Sequence, residues 1–165
     1  MRLFLALWPD DGRRDAIAAC QQAWSWPPAA ALVSAERFHI TLHFIGSVAR
    51  DRLPQVVSGL CVGFEPFEFN LDGAQVWPNT VAVLQPQRIP HEMTELQGKL
   101  AAALRELDLP VESRPFRPHV TLARRARGAV PPAQDVGVHW RANAGYVLVE
   151  SLPGGAGYEI LQRLA

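Results

Sequence analysis

The 165-residue chain is 48% hydrophobic and 19% charged, which is an ordinary composition for a globular protein. Basic and acidic side chains balance at 16 each, so the formal net charge is zero. Tight, sequence-independent binding of nucleic acid depends on many phosphate contacts and a basic excess, and this composition excludes that class. The length predicts a single domain over residues 1–165, built as one unit or as two small lobes that share a core.

The cysteines and the N-terminal segment indicate a cytoplasmic protein. Cys20 and Cys61 have neither a metal-binding spacing nor a disulfide framework, so we interpret both as small apolar residues in a reducing compartment. The apolar run Leu3–Trp8 is too short for a signal peptide or a membrane span, and it predicts a buried first strand instead.

The first half of the chain is predicted to mix strands with two helices. Asp10 or Asp11 can cap a helix that ends near Trp24, because a carboxylate there accepts free backbone N–H groups. Trp24 and Trp26 either cover an edge of the core, which we favour, or line a pocket for a base. The other predicted elements are strands at Arg2–Trp8, 30–34, Phe38–Ile45 and Phe67–Leu71, a helix at Asp51–Cys61, and a hairpin of Gln75–Trp77 with Thr80–Leu84.

The second half opens with the clearest helix, Pro90–Leu107, whose leucines and methionine recur at intervals of three and four residues. The proline-rich residues 114–118 predict a stiff, extended approach to the next strand. The remaining predicted elements are strands at His119–Arg124, Val136–Trp140, Tyr146–Leu152 and Tyr158–Leu161, with a loop at Gly128–Asp135. This mixture predicts an α+β fold.

One short pattern occurs twice, as His-Ile-Thr-Leu at residues 39–42 and His-Val-Thr-Leu at residues 119–122. Two of the four threonines in the chain therefore lie two positions after a histidine. In a strand, residues i and i+2 point to the same face. His39 and Thr41 therefore share one face, as do His119 and Thr121, while the residues between them can anchor in a core. Two such strands facing each other would form a cleft with two imidazoles and two hydroxyls.

This set of groups suits a phosphodiester. Histidine has an ordinary pKa near ~6.5, so one imidazole can act as a base while the other acts as an acid. The hydroxyls of Thr41 and Thr121 can donate hydrogen bonds to phosphate oxygens. Water would attack phosphorus with help from the base, while the acid protonates the departing oxygen. This reaction needs no metal, no other cofactor and no covalent intermediate.

Other polar residues near the motifs leave alternatives open. Strict alternation puts His43 on the face of His39 and Thr41, where it could reach the site. A metal held by His39 and His43 is the competing interpretation, but strand positions i and i+4 lie roughly 13 Å apart, and no carboxylate or cysteine cluster lies nearby. We interpret His91 and His139 as structural. Arg124 follows the second motif, and alternation places it opposite His119, so it reaches the cleft only through a bulge or a strand end.

The paired motifs and their flanks resemble the 2H phosphoesterase superfamily, and within it the bacterial and archaeal RNA 2′,3′-cyclic phosphodiesterases, also called 2′-5′ RNA ligases. Two motifs in this order, with these flanks, are far more specific than one, and the resemblance covers nearly the whole chain. The segments that carry it are Arg2–Leu7 with the following Pro-Asp, Phe38–Gly46, Phe116–Arg124 and the closing Tyr158-Glu159. His43 departs from the pattern, because relatives often have a small or apolar residue there.

The resemblance implies a bilobal, pseudo-two-fold α+β fold, in which two antiparallel sheets flank a central cleft and the helices lie outside. It also implies hydrolysis of a 2′,3′-cyclic phosphate end of RNA to a 2′-phosphate. His39 would be the proton donor and His119 the proton acceptor. Thr41, Thr121 and Arg124 would hold the phosphate.

The expected partner is therefore RNA or an oligonucleotide with a 2′,3′-cyclic phosphate end. We expect the protein to be a monomer that does not bind membranes. Reverse ligation through the same cleft follows from microscopic reversibility, although water favours hydrolysis. Two alternatives stay open. The substrate could be another small cyclic nucleotide phosphate, or the chain could be a module that binds RNA or nucleotide ends without turnover. Binding alone would not require two titratable groups, which argues against the second.

Overall fold

The computed structural model describes residues 1–134 and 137–165. Its helices are α1 (Asp11–Gln22), α2 (Leu53–Gly59) and α3 (His91–Glu106). Its strands are β1 (Arg2–Leu7), β2 (Ala31–Leu32), β3 (Ile40–Ser47), β4 (Phe67–Leu71), β5 (Gly73–Val76), β6 (Ala82–Gln85), β7 (Val120–Arg124), β8 (Val138–Ala142), β9 (Tyr146–Ser151) and β10 (Tyr158–Leu164). Each predicted helix and strand is confirmed, with ends displaced by a few residues. Asp135 and Val136, the ends of a predicted loop and strand, lie outside the described residues.

Local sequence signals account for the helix boundaries. The side chain of Asp10 accepts a hydrogen bond from the backbone N–H of Arg13 at 2.7 Å, which caps α1 as predicted. Pro90 precedes the first residue of α3, where its missing N–H costs no helical hydrogen bond. The stripe of α3 that includes Met93 and Leu100 is buried, as its spacing indicates.

The strands form three antiparallel sheets among the described residues. The first has the order β10-β9-β1-β3, so it joins the two ends of the chain, and the second has the order β2-β7-β6-β5. These two sheets each contain one motif strand, β3 or β7, as the predicted architecture requires. A third sheet pairs β4 with β8. The sequence did not predict this pairing, because the two strands are separated by nearly 70 residues.

Strand β1 pairs with β3 and β9 along its two edges, and its residues from Leu3 to Leu7 are buried on both faces of the sheet. Leu3, Leu5 and Leu7 belong to the main core, which also contains buried side chains of all three helices. Phe4 and Ala6 point to the other face and pack with β9 in a smaller apolar cluster. The cleft described below lies on the side of Phe4. In the part of the chain that the structure describes, no helix is both long and apolar enough to span a membrane.

Candidate active site

A cleft with a volume of about 690 Å³ lies between the two four-stranded sheets. Strand β3 contributes to one wall and strand β7 to the other. The predicted site residues that line it are His39, Thr41, His119, Thr121 and Arg124. The fold therefore brings both motifs, which are separated by about half of the chain, to a single cavity.

A β-bulge in β3 changes which residues face this cleft. Leu5 of β1 pairs with His43, but the next residue, Ala6, pairs with Thr41, so Leu42 has no partner across the pair. One extra residue inverts the alternation that follows it. Leu42 and His43 are consequently both buried, and Phe44 returns to the cleft.

The prediction that His43 shares the face of His39 and Thr41 is therefore wrong. The His43 side chain points into the protein, where its Nε2–H donates a hydrogen bond to the backbone carbonyl of Gln97 in α3 at 2.8 Å. Burial lowers the pKa of His43. Its contact ties the motif strand to α3, and it cannot serve as a metal ligand together with His39.

The same bulge occurs in β7. Ala82 pairs with Ala123 and its neighbour Val83 pairs with Thr121, which leaves Leu122 as the extra residue. Leu122 and Ala123 are both buried, and the side chain of Arg124 reaches the cleft. Strict alternation would have kept Arg124 away from the cleft unless a bulge or a strand end intervened. The bulge at Leu122 is what brings it there.

Helix α1 holds the second bulge in place through a buried side chain. The amide group of Gln21 donates one hydrogen bond to the carbonyl of Leu122 and one to the carbonyl of Val33, each at 2.8 Å. Buried carbonyl groups need such partners, because leaving one unpaired costs about 1–3 kcal/mol. Gln21 thereby links the bulge to the loop that follows β2.

Both histidines are fixed by the same backbone contact. Nδ1 of His39 lies 2.7 Å from the carbonyl oxygen of Arg37, and Nδ1 of His119 lies 2.7 Å from the carbonyl oxygen of Arg117. A carbonyl can only accept, so each Nδ1 bears the hydrogen. In the neutral ring, Nε2 then has the lone pair and is the nitrogen available for proton transfer.

His39 lies in an aromatic environment. Its ring stacks on Trp8 with a centroid distance of 5.4 Å and also contacts Phe4 at 5.0 Å and Tyr158, edge to face, at 5.2 Å. The guanidinium of Arg37 donates a hydrogen bond to the carbonyl of Gly155 at 2.8 Å, which fixes the glycine-rich turn just before Tyr158. The immediate surroundings of the His39 ring are therefore aromatic.

His119 has a more cationic environment. Its ring packs against Trp77 at a centroid distance of 4.4 Å, and the guanidinium of Arg117 lies 4.4 Å from the centroid of the same indole. Such a cation–π contact holds the arginine beside the histidine. Arg124 and Arg114 also line the cleft.

Burial is the main influence on both imidazoles. Burial, together with a smaller effect of charge on His119, lowers the pKa of His39 to about 4. Burial also lowers the pKa of His119, and the cations of Arg117 and Arg124 act in the same direction. In the free protein at neutral pH both rings are therefore neutral.

Other predicted residues lie elsewhere. His91 and His139 are exposed and contact Glu95 and Glu68, respectively, which agrees with structural roles. Trp24 and Trp26 stack on each other at 4.9 Å outside the histidine cleft, although Trp24 lines a separate cavity of about 300 Å³. Among the described residues, no group of three or more His, Cys, Asp or Glu side chains is arranged to hold a metal ion.

Several side chains in the cleft were not singled out from the sequence. Tyr158 belongs to the segments that carry the resemblance, and Trp77 ends a predicted strand, but nothing local marks either as facing the site. Phe44 follows the motif, and alternation would have buried it. The additional lining side chains include Arg2, Phe4, Leu32, Arg37, Phe44, Trp77, Asn79, Arg114, Ser151 and Tyr158.

Comparison with known proteins relates this geometry to a family. The sequence profile of the 2′-5′ RNA ligase superfamily matches residues 9–136. A protein of Thermus thermophilus named RNA 2′,3′-cyclic phosphodiesterase is 30% identical, covering 100% of this chain and 90% of its own length. A protein of the same name from Methanothermobacter thermautotrophicus is 33% identical in an alignment that covers 75% of this chain and 71% of the length of that protein.

Solved structures agree with the sequence relatives. The crystal structure of Escherichia coli LigT complexed with 3′-AMP has a TM-score of 0.84 and 27% identity, covering 99% of this chain and 97% of that chain. The apo form of the same protein has a TM-score of 0.83. The fold and the family inferred from the paired motifs are both confirmed. This chain belongs to the 2′-5′ RNA ligase superfamily.

Proposed function

We propose that this protein hydrolyses 2′,3′-cyclic phosphate ends of RNA to 2′-phosphomonoesters. The observation that carries the proposal is the pair of imidazoles on opposite walls of one cleft, each with Nδ1–H bound to the carbonyl two residues earlier, so that each Nε2 can transfer a proton. The curated relatives bear the name of this activity. That name favours an RNA end over other cyclic phosphates, and two titratable groups favour turnover over binding alone.

The reaction needs one base and one acid. Nε2 of His119 takes a proton from water while the water oxygen forms a bond to phosphorus. The bond from phosphorus to the ribose 3′ oxygen breaks, and His39 gives that oxygen a proton from Nε2. The product has a 2′-phosphate and a free 3′ hydroxyl, and the two histidines then exchange protons with solvent. This choice of acid and base follows the family resemblance.

Three polar side chains hold the phosphate in this proposal. The hydroxyls of Thr41 and Thr121, one on each wall, donate to the non-bridging oxygens. Arg124 adds a fixed positive charge that offsets the negative charge on the phosphate oxygens in the transition state. Because these groups are on strands, their positions vary little before the substrate binds.

The low pKa of His39 is compatible with the role of an acid. A histidine with a pKa of about 4 is neutral in the free protein at pH 7. A bound phosphate puts a negative charge beside it, and an opposite charge favours the protonated imidazole. Substrate binding therefore supplies the condition under which His39 takes up the proton that it later donates.

A turnover assay tests this function. Purified protein is incubated with EDTA and adenosine 2′,3′-cyclic phosphate, and the products are resolved as 2′- or 3′-phosphate. We expect the 2′-phosphate, with a rate that EDTA does not change, because water is activated by a histidine. A folded protein that turns over neither this nucleotide nor a short RNA with the same end would refute the proposal. A rate abolished by EDTA would refute its metal-independent mechanism alone.

The proposal also covers the oligomeric state, the compartment and the reverse reaction. The protein acts as a monomer, which is reasonable because one chain supplies both histidines and both threonines. It acts in the cytoplasm, as its cysteine usage predicts. Reverse joining of a 2′,3′-cyclic phosphate to a 5′ hydroxyl would use the same groups in the opposite direction.

A further inference from the structure

We propose that Arg37 is a positioning residue for the acid. Its guanidinium holds the glycine-rich turn of residues 153–157 beside His39, and this contact keeps Nε2 of the imidazole directed at the departing ribose oxygen. Arg37 has this role only if His39 donates that proton, so the inference rests on the proposed function.

Arg37 contacts the surroundings of His39 at two points. Its backbone carbonyl accepts the hydrogen of His39 Nδ1 at 2.7 Å, and its guanidinium donates a hydrogen bond to the carbonyl of Gly155 at 2.8 Å. Arg37 and Gly155 are 118 residues apart in the sequence. Phe38, between Arg37 and His39, is 1% exposed and anchors this segment in the core. A single residue therefore links the acceptor that orients the imidazole to a distant turn.

The glycine-rich turn is exposed and depends on hydrogen bonds for its shape. Gly154, Gly155 and Gly157 have φ values of 66°, 74° and 128°, which favour glycine. The N–H of Leu152 donates to the carbonyl of Gly157 at 2.9 Å and closes the turn. Residues 153–156 are exposed, so they have little packing to hold them. Ordering such a segment costs conformational entropy, and the hydrogen bond from the Arg37 guanidinium offsets part of that cost.

The turn leads directly into Tyr158, which confines the imidazole of His39. Tyr158 begins β10, and its ring meets that of His39 edge to face, with a centroid distance of 5.2 Å and an interplanar angle of 89°. Trp8 covers a face of the same imidazole and is nearly parallel to it, at 5°. Release of the turn from Arg37 would let Tyr158 move and would give the imidazole room to rotate.

The orientation of the imidazole matters because proton transfer depends strongly on geometry. A displacement of about 1 Å near the reacting atoms can lower a rate by roughly 10²-fold. Without the Arg37 guanidinium, Nδ1 of His39 keeps its acceptor, which is a backbone atom, but that acceptor is no longer tied to the turn. We therefore expect a smaller loss than removal of His39 itself would cause. Arg37 also lines the cleft, so direct contact with the substrate phosphate is the alternative role that the test must separate.

A sulfur atom at the leaving position separates these two roles. We would compare adenosine 2′,3′-cyclic phosphate with the analogue in which sulfur replaces the 3′ oxygen. In the analogue, the bond between phosphorus and sulfur breaks, and the electron pair leaves with sulfur as a thiolate. A thiol has a pKa near ~8.5, far below that of an alcohol, so this leaving group needs no proton from an acid. The product has a 2′-phosphate and a 3′ thiolate.

Arg37→Ala should lower kcat roughly 10- to 100-fold with the oxygen substrate, because the acid is misplaced, and should leave KM nearly unchanged. With the sulfur analogue, its kcat should approach that of wild type. His39→Ala should show the same pattern with a larger loss, whereas His119→Ala should be slow with both substrates, because both need activated water. Arg37→Lys keeps a donor for the carbonyl of Gly155 and should recover part of the kcat that is lost with the oxygen substrate.

Arg52→Ala is the matched control. The guanidinium of Arg52 donates a hydrogen bond to the carbonyl of Leu107 at 2.7 Å, at the end of α3 and outside the cleft. This variant loses a contact of the same kind as Arg37→Ala does. Its kcat with each substrate should equal that of wild type.

Three results would overturn the positioning role of Arg37. One is a wild-type kcat in the Arg37→Ala variant with the oxygen substrate. Another is a loss in Arg37→Ala that is equal for the two substrates or confined to KM, which would indicate a general structural effect or a direct phosphate contact. The third is a failure of sulfur to rescue His39→Ala, which would remove the acid on which Arg37 acts. Turnover of neither substrate by folded wild-type protein would instead refute the proposed function itself.

Discussion

At the scale of single residues, each imidazole is oriented for proton transfer by a contact with the backbone segment that leads into its strand. Each Nδ1–H donates to a carbonyl two residues earlier, which fixes both the tautomer and the ring orientation. No side-chain carboxylate is needed for this orientation. The roles of His39 and His119 as acid and base stay predictions that substitutions can test.

Replacing either histidine by alanine removes one of the two proton transfers. We expect His39→Ala and His119→Ala each to lower kcat by roughly 10²–10⁴, the usual contribution of general acid–base catalysis. Steady-state kinetics with a nucleoside 2′,3′-cyclic phosphate measures this loss. His91→Ala is the control, because His91 is exposed and lies outside the cleft. A variant of His39 or His119 with nearly wild-type activity would remove that residue from its assigned role.

The two histidines also determine how activity depends on pH. The pKa of each is lowered in the free protein, that of His39 to about 4. The profile of kcat/KM, which reports the free enzyme, should therefore be bell-shaped, with both apparent pKa values below the ordinary 6.5. In the kcat profile both limbs should move to higher pH, because bound phosphate favours the protonated rings. A limb of the kcat/KM profile above pH 6.5 would contradict this account.

At the scale of elements, the repeated bulge decides which side chains serve the cleft. In β7 it brings Arg124 to the wall beside His119 and Thr121, while the next residue, Arg125, adopts a positive φ of 53° as the strand ends. The two arginines are adjacent and have the same charge. Only the first lines the cleft.

This pair provides a controlled test of the phosphate contact. Arg124→Ala should lower kcat/KM by roughly 10- to 100-fold, because hydrogen bonds to charged groups contribute about 1.5–3 kcal/mol. Arg124→Lys should recover part of the loss, since it restores the charge but not the planar fork. Arg125→Ala removes the same charge from the neighbouring residue and should leave kcat/KM near the wild-type value. Equal effects in the two alanine variants would indicate a general charge effect instead.

At the scale of the whole molecule, the fold stabilises neutral histidines. His39, His43 and His119 each have a pKa lowered mainly by burial. The unfolded chain, in which their pKa is near ~6.5, then binds more protons than the folded protein below that pH. Acid therefore shifts the equilibrium toward the unfolded state. The division of the molecule into two lobes stays a prediction, although each main sheet contains one motif strand.

The free energy of unfolding should accordingly fall as the pH is lowered from about 6.5 to 4. For His39 alone, the shift to a pKa of about 4 corresponds to a decrease on the order of 2–3 kcal/mol. Urea denaturation followed by tryptophan fluorescence at pH 7.5 and pH 4.5 measures it. His39→Asn should reduce the difference between the two pH values, whereas His139→Asn, at an exposed site, should not. A stability that is equal at both pH values would contradict the buried, neutral state of these rings.

The sequence by itself determined the order of strands and helices. It also determined that His39 and Thr41 share a face of the first motif segment, and that His119 and Thr121 share a face of the second. These features depend on periodicity within a few residues, which the chain displays directly. The family also followed from the sequence, because two motifs with their flanks are specific. The N-cap at Asp10 and the buried stripe of α3 were local signals of the same kind.

Only the tertiary structure decided what lies beyond each threonine. A bulge depends on the register between two strands that are distant in the sequence, so no local pattern reveals it. This is why His43 is in the core, why Arg124 reaches the cleft, and why Phe44 is exposed there. The pairing of β4 with β8 and the aromatic rings around His39 come from equally distant segments. Alternation is a property of one strand, whereas the composition of the cleft is a property of how the strands are paired.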